Sequence, residues 1–340
     1  MSDGSHGVPN PLDRVGEKRH TGAPVTALST ADLEACRAIL AQGSKSFAFA
    51  SRALPARMRD PVAAFYAFCR VSDDAVDESA TPRDALARLN ERVDAAAAGR
   101  PESDPVDRAL AWLMGAHALP RVPIDALLEG YLWDAEGRSY ETLSETMDYC
   151  ARVASSVGVA MTALMGVRDA ETLARAADLG VAMQLTNIAR DVGQDARIGR
   201  LYVPRAWLRE EGVDPDGFLG APRYVPGVGR ATRRLLDHAA VLYARASDGI
   251  GRLPRDCRIA IRGAGRIYED IGREIRARDL DSVGGRAFTS TARKAWLLST
   301  AVASELRKVE RTTPGDGPLA ETAFLVDACA VRGPAERGST

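Results

Sequence analysis

The fold of this chain is decided by a run in which an apolar stretch passes directly into acidic residues, Phe65-Tyr66-Ala67-Phe68-Cys69-Arg70-Val71-Ser72-Asp73-Asp74-Ala75-Val76-Asp77-Glu78. Asp73 and Asp77 are four residues apart, so an α-helix places both carboxylates on one face. A second run repeats this spacing at Asp191 and Asp195 within Asn187-Ile188-Ala189-Arg190-Asp191-Val192-Gly193-Gln194-Asp195. Mg²⁺ commonly binds carboxylate oxygens and bridges to substrate phosphates. Two opposed faces of this kind therefore predict a divalent-metal and diphosphate site.

An isolated acidic run is more often a solvated helix face than a metal site. Here, however, the apolar residues before Asp73 predict a helix that is buried for more than two turns. Adjacent carboxylates in such a setting repel one another and lose hydration unless a cation neutralises them. The second run adds a stripe of amides and carboxylates on one helix face, formed by Gln184, Asn187, Asp191 and Asp195. We therefore favour metal binding over a solvated face.

The rest of the chain predicts an all-α fold. Apolar residues recur at three- and four-residue steps from Leu33 to Cys329, and alternating β-branched runs are missing. Of the 340 residues, 46% are hydrophobic and 27% are charged, which is typical of a globular protein. The formal net charge of −1 gives no reason to expect a nucleic-acid partner. No βαβ alternation and no GxGxxG turn is present, so no nicotinamide cofactor is expected.

The pattern predicts one domain flanked by two short segments. Residues 1–28 are predicted to be a disordered leader, 29–312 the helical domain, and 313–340 a helix segment with a disordered tail. Thr30 is a candidate cap for the first helix, and Thr81-Pro82 predicts another helix start. The stretch Glu211 to Gly229 is rich in Gly and Pro and is interpreted as a long surface loop.

The cysteines and histidines indicate a reduced, zinc-free protein. The five cysteines include no CxxC pair and the four histidines are dispersed. The longest uncharged run, Val153 to Val167, is shorter than the roughly 20 residues that span a bilayer. Neither a signal peptide nor a membrane anchor is recognised at the amino terminus. We therefore expect a cytoplasmic protein without a transmembrane helix.

The chain resembles the squalene and phytoene synthase family, the head-to-head trans-isoprenyl diphosphate synthases. The resemblance extends from about Leu33 to Phe288. It includes Ser44-Lys45-Ser46-Phe47, the run from Tyr66 to Glu78, Tyr149 with Val153 and Gly158, and the run from Gln184 to Pro204. Two segments are most similar to bacterial phytoene synthases, Trp133-Asp134-Ala135-Glu136-Gly137-Arg138 and Gly199-Arg200-Leu201-Tyr202-Val203-Pro204. The family resemblance implies a single-domain isoprenoid-synthase-type helical bundle over residues 29–312, with a central cavity lined by the two Asp-rich helices.

The resemblance also implies roles for individual residues. Mg²⁺, or Mn²⁺ as an alternative, would be bound by Asp73, Asp77, Asn187, Asp191 and Asp195. Catalytic roles would fall to Tyr66, Arg70, Tyr149 and Arg190, with the two arginines and Ser44 and Ser46 contacting diphosphate. The substrate-binding set would be Ser44, Lys45, Ser46, Phe47, Val153, Val157, Gly158, Gln184, Asn187 and Tyr268. Many relatives carry an acid where this chain has Gln194, which is out of step with the acidic face, so we expect little loss of metal binding.

Several of these residues have a plain structural interpretation as well. Ser44-Lys45-Ser46 by itself is an ordinary loop or helix cap, and a buried tyrosine is most often a core residue. Arg190 could form a structural salt bridge as readily as bind phosphate. The small residues within Val153 to Met165 fit close helix packing and room for an isoprenoid tail equally well. The proton acceptor is either Tyr149 or released diphosphate.

The implied activity is the Mg²⁺-dependent condensation of two geranylgeranyl diphosphates, through a cyclopropylcarbinyl diphosphate, to phytoene, the first committed step of carotenoid biosynthesis. The alternative is a squalene, dehydrosqualene or presqualene diphosphate synthase that uses farnesyl diphosphate. A chain-elongating synthase is less favoured because Asp191 to Asp195 lacks paired aspartates, and a catalytically silent assembly subunit has no need of both acidic runs. Lipid substrates and products suggest transient contact with the inner membrane face and with downstream carotenoid enzymes.

Overall fold

The protein is described by a computed structural model that covers residues 25–43, 53–306 and 316–331. The first helices are α1 Thr30–Gly43, α2 Ala56–Asp77, α3 Pro82–Ala97, α4 Pro105–Ala116, α5 Val122–Ala135 and α6 Leu143–Cys150. A π-helical turn, Ala151–Ser155, joins α6 to α7 Ser156–Leu164. The later helices are α8 Ala170–Arg197, α9 Arg205–Glu210, α10 Pro215–Gly220, α11 Pro226–Ile250, α12 Arg255–Arg276, α13 Thr291–Leu306 and, after a 3₁₀ turn, α14 Ala323–Cys329. The described ranges contain no strand, which confirms the all-α prediction.

Helix α8 is the central element of the bundle. Its 28 residues contact α7, α11, α12 and α14, and its amino terminus is capped by the Asp169 carboxylate, which accepts from Thr172 N. Leu185 of α8 packs with Leu235 of α11 and Ile271 of α12 in one apolar core. A second core joins α2, α4 and α5 around Phe65, Leu110 and Leu127. The two acidic runs therefore lie on helices whose other faces are buried.

Close contact between helices is made possible by glycine. A Cβ at Gly158 of α7 would lie 2.6 Å from Ala176 O of α8, and one at Gly180 would lie 2.6 Å from Ser155 Cα. Both contacts are to backbone atoms, so any larger residue would push α7 and α8 apart. Close packing of the helices therefore explains why a glycine is present at position 158. The segment that contains Gly158 also borders an apolar cavity.

Two local expectations need correction. Helix α1 already includes Thr30, and its capping group is the Ser29 hydroxyl, which accepts from Asp32 N at 3.1 Å. The stretch from Glu211 to Gly229 is not one loop, because it contains α10 and the first turn of α11. The Asp214 carboxylate caps α10 by accepting from Gly217 N at 2.9 Å. Thr81-Pro82 does begin a helix, as predicted.

The carboxyl-terminal segment packs on the bundle. Leu325, Val326 and Cys329 of α14 are buried against Val159 of α7 and Leu173 of α8. Among the described helices, none is both long enough and apolar enough to cross a bilayer.

Candidate active site between the two acidic helices

The carboxyl-terminal ends of α2 and α8 meet through one arginine. Arg200 lies just after α8, where its backbone N–H donates to Asp195 O at 2.9 Å. Its guanidinium reaches across to α2 and pairs with Asp77 Oδ1 at 2.8 Å. The two acidic faces predicted from sequence are therefore brought to the same region of the molecule.

Arginines surround the acidic residues. Asp191 is bound bidentately by Arg190, at 2.8 and 2.6 Å, and is also contacted by Arg286 at 2.7 and 3.0 Å. Arg70 pairs with Asp74 at 2.5 Å and lies 3.7 Å from Asp73. The salt-bridge interpretation of Arg190 therefore holds for its contact with Asp191. Guanidinium groups that are already gathered at one place also form a suitable surface for a diphosphate.

Two carboxylates in this region have strongly raised pKa values. Burial, followed by repulsion from Asp77, raises the pKa of Asp73 to about 6. Burial, followed by repulsion from Asp191 and Asp134, raises the pKa of Asp195 to about 7. Negative charge is therefore costly on both helices, and a bound cation would relieve that cost.

The donor set fits a hard divalent cation. The predicted ligands offer carboxylate and amide oxygens, which Mg²⁺ and Mn²⁺ favour. Asn187 Oδ1 is buried and has no hydrogen-bond partner, so it is an orphaned acceptor beside Asp191. Within the described ranges, no three acidic, histidine or cysteine side chains converge on a single point. The donors are thus gathered in one region, with arginines paired to Asp77 and Asp191.

A buried tyrosine cluster lies beside the acidic faces. Asp134, at the end of α5, accepts hydrogen bonds from Tyr149 OH at 2.7 Å and Tyr202 OH at 2.6 Å. The Tyr149 and Tyr202 rings stack with centroids 4.7 Å apart. Burial raises the pKa of Asp134, and burial raises the pKa of Tyr149 well above its ordinary range. The cluster therefore combines a neutral phenol with a carboxyl group that can hold a proton.

An apolar cavity of about 280 Å³ leads away from the acidic site. Its polar end is formed by Gln184 and Asn187 of α8 and by Tyr268 of α12. Val157 and Met161 of α7 line its middle. Of the two acidic helices, only α8 contributes residues to the cavity wall. Helix α2 reaches the site through its acidic carboxyl-terminal end. An apolar cavity next to a polar site suits a ligand with a charged head and a hydrocarbon tail.

The structure brings together most of the residues predicted from sequence. The cavity wall includes Val153, Val157, Gly158, Gln184, Asn187 and Tyr268. Gln184 Oε1 accepts from Asn187 Nδ2 at 3.2 Å, so the amide stripe is internally bonded. Tyr66 faces Gly43 of α1, where an added Cβ would lie within 2.0 Å of the phenol oxygen. Ser44, Lys45, Ser46 and Phe47 lie outside the described residues.

Neither Arg286 nor Asp134 has a role that the sequence pattern predicts. Arg286 is 95 positions from Asp191 and lies in the segment between α12 and α13, so no helical spacing connects the two. Asp134 lies in a segment that resembles bacterial phytoene synthases, but its pattern in the sequence is only that of an acid at the end of the predominantly apolar helix α5. Only the tertiary structure reveals its two tyrosine partners, Tyr149 in α6 and Tyr202 in the segment between α8 and α9.

Comparisons with known proteins identify the family of this chain. The family model for squalene/phytoene synthase matches residues 40–296. The chain is 49% identical to a phytoene synthase from Rhodobacter capsulatus, covering 90% of this chain and 92% of that protein. It is 47% identical to a phytoene synthase from Cereibacter sphaeroides, covering 89% of each. A crystal structure of a dehydrosqualene synthase in complex with ligand matches with a TM-score of 0.73 and 30% identity, covering 82% of this chain and 97% of that one.

These matches define the class of protein. The fold is that of the helical synthases to which the dehydrosqualene synthase structure belongs, as the sequence predicted. The chain belongs to the squalene/phytoene synthase family, and is thereby a prenyltransferase.

Proposed function

We propose that the protein condenses two geranylgeranyl diphosphates head to head to give phytoene and two diphosphates, as the first committed step of carotenoid synthesis. The observation that carries the proposal is the 49% and 47% identity to phytoene synthases over about nine tenths of the chain. The site supports it, because a polar, arginine-rich region lies beside an apolar cavity.

The arginines are proposed to bind and orient the diphosphate groups. Arg70, Arg190 and Arg286 lie on two helices and one connecting segment around the acidic faces. Bidentate guanidinium contacts fix the orientation of a phosphate as well as its position. Departure of diphosphate breaks the C–O bond of the allylic substrate, and the arginine charges stabilise the negative charge that develops.

Asp73, Asp77, Asn187, Asp191 and Asp195 are proposed to hold Mg²⁺, with Mn²⁺ as a possible substitute. When bound, the cation would neutralise the diphosphate leaving group. The proposal is supported by the oxygen-only donor set and by the orphaned Asn187 Oδ1. No role for a nicotinamide cofactor is proposed, since the final step is a loss of a proton.

The cavity is proposed to hold the hydrocarbon tails and exclude water. The allylic carbon left by diphosphate is attacked by the double bond of the second substrate, and loss of a proton gives a cyclopropylcarbinyl diphosphate. A second departure of diphosphate, rearrangement and loss of another proton then give phytoene. Water would quench either cationic stage, so the apolar wall of Val157, Met161 and Leu179 protects both.

Tyr149 and Asp134 are proposed to receive a proton from the reacting hydrocarbon. The phenol of Tyr149 donates to Asp134 Oδ2 at 2.7 Å, so a proton accepted at its oxygen can pass on to the carboxylate. The raised pKa of Asp134 favours its protonated form and supports this assignment. Released diphosphate is the alternative acceptor.

We also propose a peripheral location at the inner membrane face, with contact to downstream carotenoid enzymes. The support is chemical, because the substrate is amphipathic and the product is a hydrocarbon. Four large apolar side chains between residues 288 and 306 are exposed, Phe288, Trp296, Val302 and Leu306. Exposed Trp, Phe and Leu side chains favour the interface between water and lipid.

The test is incubation of the purified protein with geranylgeranyl or farnesyl diphosphate, with Mg²⁺ and with or without NADPH, followed by identification of the hydrocarbon. Phytoene formed from geranylgeranyl diphosphate without NADPH is the expected result. Products from farnesyl diphosphate alone would instead place the chain with dehydrosqualene or squalene synthases, and no product would support a silent subunit.

A further inference from the structure

We infer that Arg175 forms the floor of the apolar cavity and thereby limits the length of the isoprenoid tail that the protein accepts. The inference rests on the proposed function, in which the cavity holds the tail. Nothing in the sequence pattern pointed to Arg175, because an arginine in the first half of a helix ordinarily lies on its solvated face.

The cavity runs along α8 from its polar end to the turn that contains Thr172 and Arg175. Wall residues on α8 extend from Asn187 back to Thr172, and the fifteen residue-to-residue steps between them span about 22 Å at the rise of an α-helix. Helix α7 runs antiparallel, since Gly180 lies against Ser155 and Gly158 against Ala176. Met165, just after α7, therefore lies at the same end of the cavity as Arg175, far from the acidic site.

Arg175 is buried and held at both ends of its side chain. It is 4% exposed, and its guanidinium pairs with Asp178 at 3.2 Å. Nη2 also donates to Asp316 O at 2.7 Å and to Gly317 O at 3.1 Å in the carboxyl-terminal segment. At the other end, a Cβ built on Gly249 would lie 2.3 Å from Arg175 Cβ, so the backbone of α11 confines the stem. The side chain cannot swing away to admit a longer ligand.

Neutralisation of Asp178 does not by itself require Arg175. Arg245 of α11 pairs with the same carboxylate at 3.0 Å and donates to Gly317 O at 3.0 Å. A buried ion pair is also weak evidence for stability, since desolvation offsets much of its attraction. What distinguishes Arg175 from Arg245 is its place in the cavity wall, where a long aliphatic stem fills the far end while the charged head is bonded elsewhere.

Removing the stem should lengthen the cavity. In Arg175→Ala the atoms beyond Cβ are lost, and a buried site of this kind relaxes only in part. Asp178 keeps Arg245 as its partner, so no uncompensated buried charge is left. The space gained lies in line with the existing cavity, where the end of a tail one isoprene unit longer would enter.

The experiment is a competition between geranylgeranyl diphosphate and the C25 geranylfarnesyl diphosphate, using the full-length protein with Mg²⁺. The ratio of kcat/KM values, C25 over C20, is obtained from the consumption of each substrate. Arg175→Ala should raise this ratio at least tenfold over the wild type. Met165→Ala, at the same end of the cavity, should raise it in the same direction and provides a second route if Arg175→Ala does not fold.

Arg245→Ala is the matched control. It removes a cation from the same Asp178 carboxylate and from the same Gly317 carbonyl, but Arg245 does not line the cavity. Its ratio should stay within twofold of the wild-type value. An equal rise in the Arg175 and Arg245 variants would refute the inference, because loosening of the carboxyl-terminal segment would then explain both. So would an unchanged ratio in a folded Arg175→Ala protein or, if that variant does not fold, in Met165→Ala, whereas a wild type that consumes neither substrate would overturn the proposed function itself.

Discussion

Replacement of Gly193 by alanine tests whether the packing between α8 and the segment after α12 maintains the site. Gly193 lies between Asp191 and Asp195, and an added Cβ would lie 2.6 Å from Val283 Cα and 2.7 Å from Val283 O. Because these are backbone atoms, the segment itself must move. That segment carries Arg286, which binds Asp191. The substitution should therefore reduce both stability and the order of the arginine cluster.

The magnitude follows from three contributions. Alanine is favoured over glycine in a helix interior by about 1 kcal/mol. Displacement of the segment loses the hydrogen bond from Gly193 N to Ser282 O, 3.0 Å long, which contributes about 1 kcal/mol. Overpacking typically costs about 1–3 kcal/mol. The net loss in the free energy of unfolding is about 2 kcal/mol, which for a chain of 340 residues corresponds to a decrease in Tm of about 3 °C.

The assay is thermal unfolding followed by circular dichroism, together with KM for the diphosphate substrate. Gly265→Ala is the matched control, because Gly265 is also a buried helical glycine but its added Cβ would lie at an ordinary 3.5 Å from Leu179 Cδ1. That control should gain up to about 1 kcal/mol. A Gly193→Ala protein that melts at or above the temperature of Gly265→Ala would show that the segment yields without cost, and the packing argument would be wrong.

Three further outcomes are expected. Asp191→Asn should lower kcat at least about a hundredfold while the helical circular dichroism signal stays unchanged. The control Asp216→Asn, which changes an exposed ion pair, should leave kcat unchanged. Retained activity in Asp191→Asn would show that Asp191 is not a required metal ligand. Tyr149→Phe should lower kcat by about 10² or more. The control Tyr202→Phe loses a similar hydrogen bond to the Asp134 carboxylate and should lower kcat less. Equal losses of kcat in the two variants would contradict a proton-transfer role for Tyr149. Burial and a neighbouring guanidinium lower the pKa of His238 from 6.5, so the unfolded chain binds this proton more readily and the contribution of His238 to stability should fall as the pH decreases below 6.5, opposite in sign to that of Asp73 and Asp195. In urea titrations the stability of the wild type relative to His238→Phe should therefore decrease below pH 6.5, and a difference that does not change with pH would contradict it.

Local sequence rules predicted the helices well where the signal was periodic, and less well where a single polar group decided a boundary. The acidic end of α2 and the amide stripe of α8 followed from three- and four-residue spacing. The start of α1 was misplaced by one position, because Ser29 and Thr30 are both good caps and only geometry selects between them. The glycine and proline residues in 211–229 are typical of a loop, but Asp214 followed by Pro215 is itself a signal for the start of a helix.

By itself, the sequence determined that the chain is helical, that two helices carry carboxylates on one face, and that its motifs are those of the squalene/phytoene synthase family. These properties depend on residues within a few turns of one another, and helical periodicity is sufficient to relate them. The tertiary structure decided what the acids face: Arg200 on Asp77, Arg286 on Asp191, and two tyrosines on Asp134. It also decided where the cavity ends, because the floor at Arg175 depends on α11 and on a carboxyl-terminal segment more than 140 residues away. Contacts over such separations are fixed by packing of the whole chain, and no local spacing encodes them.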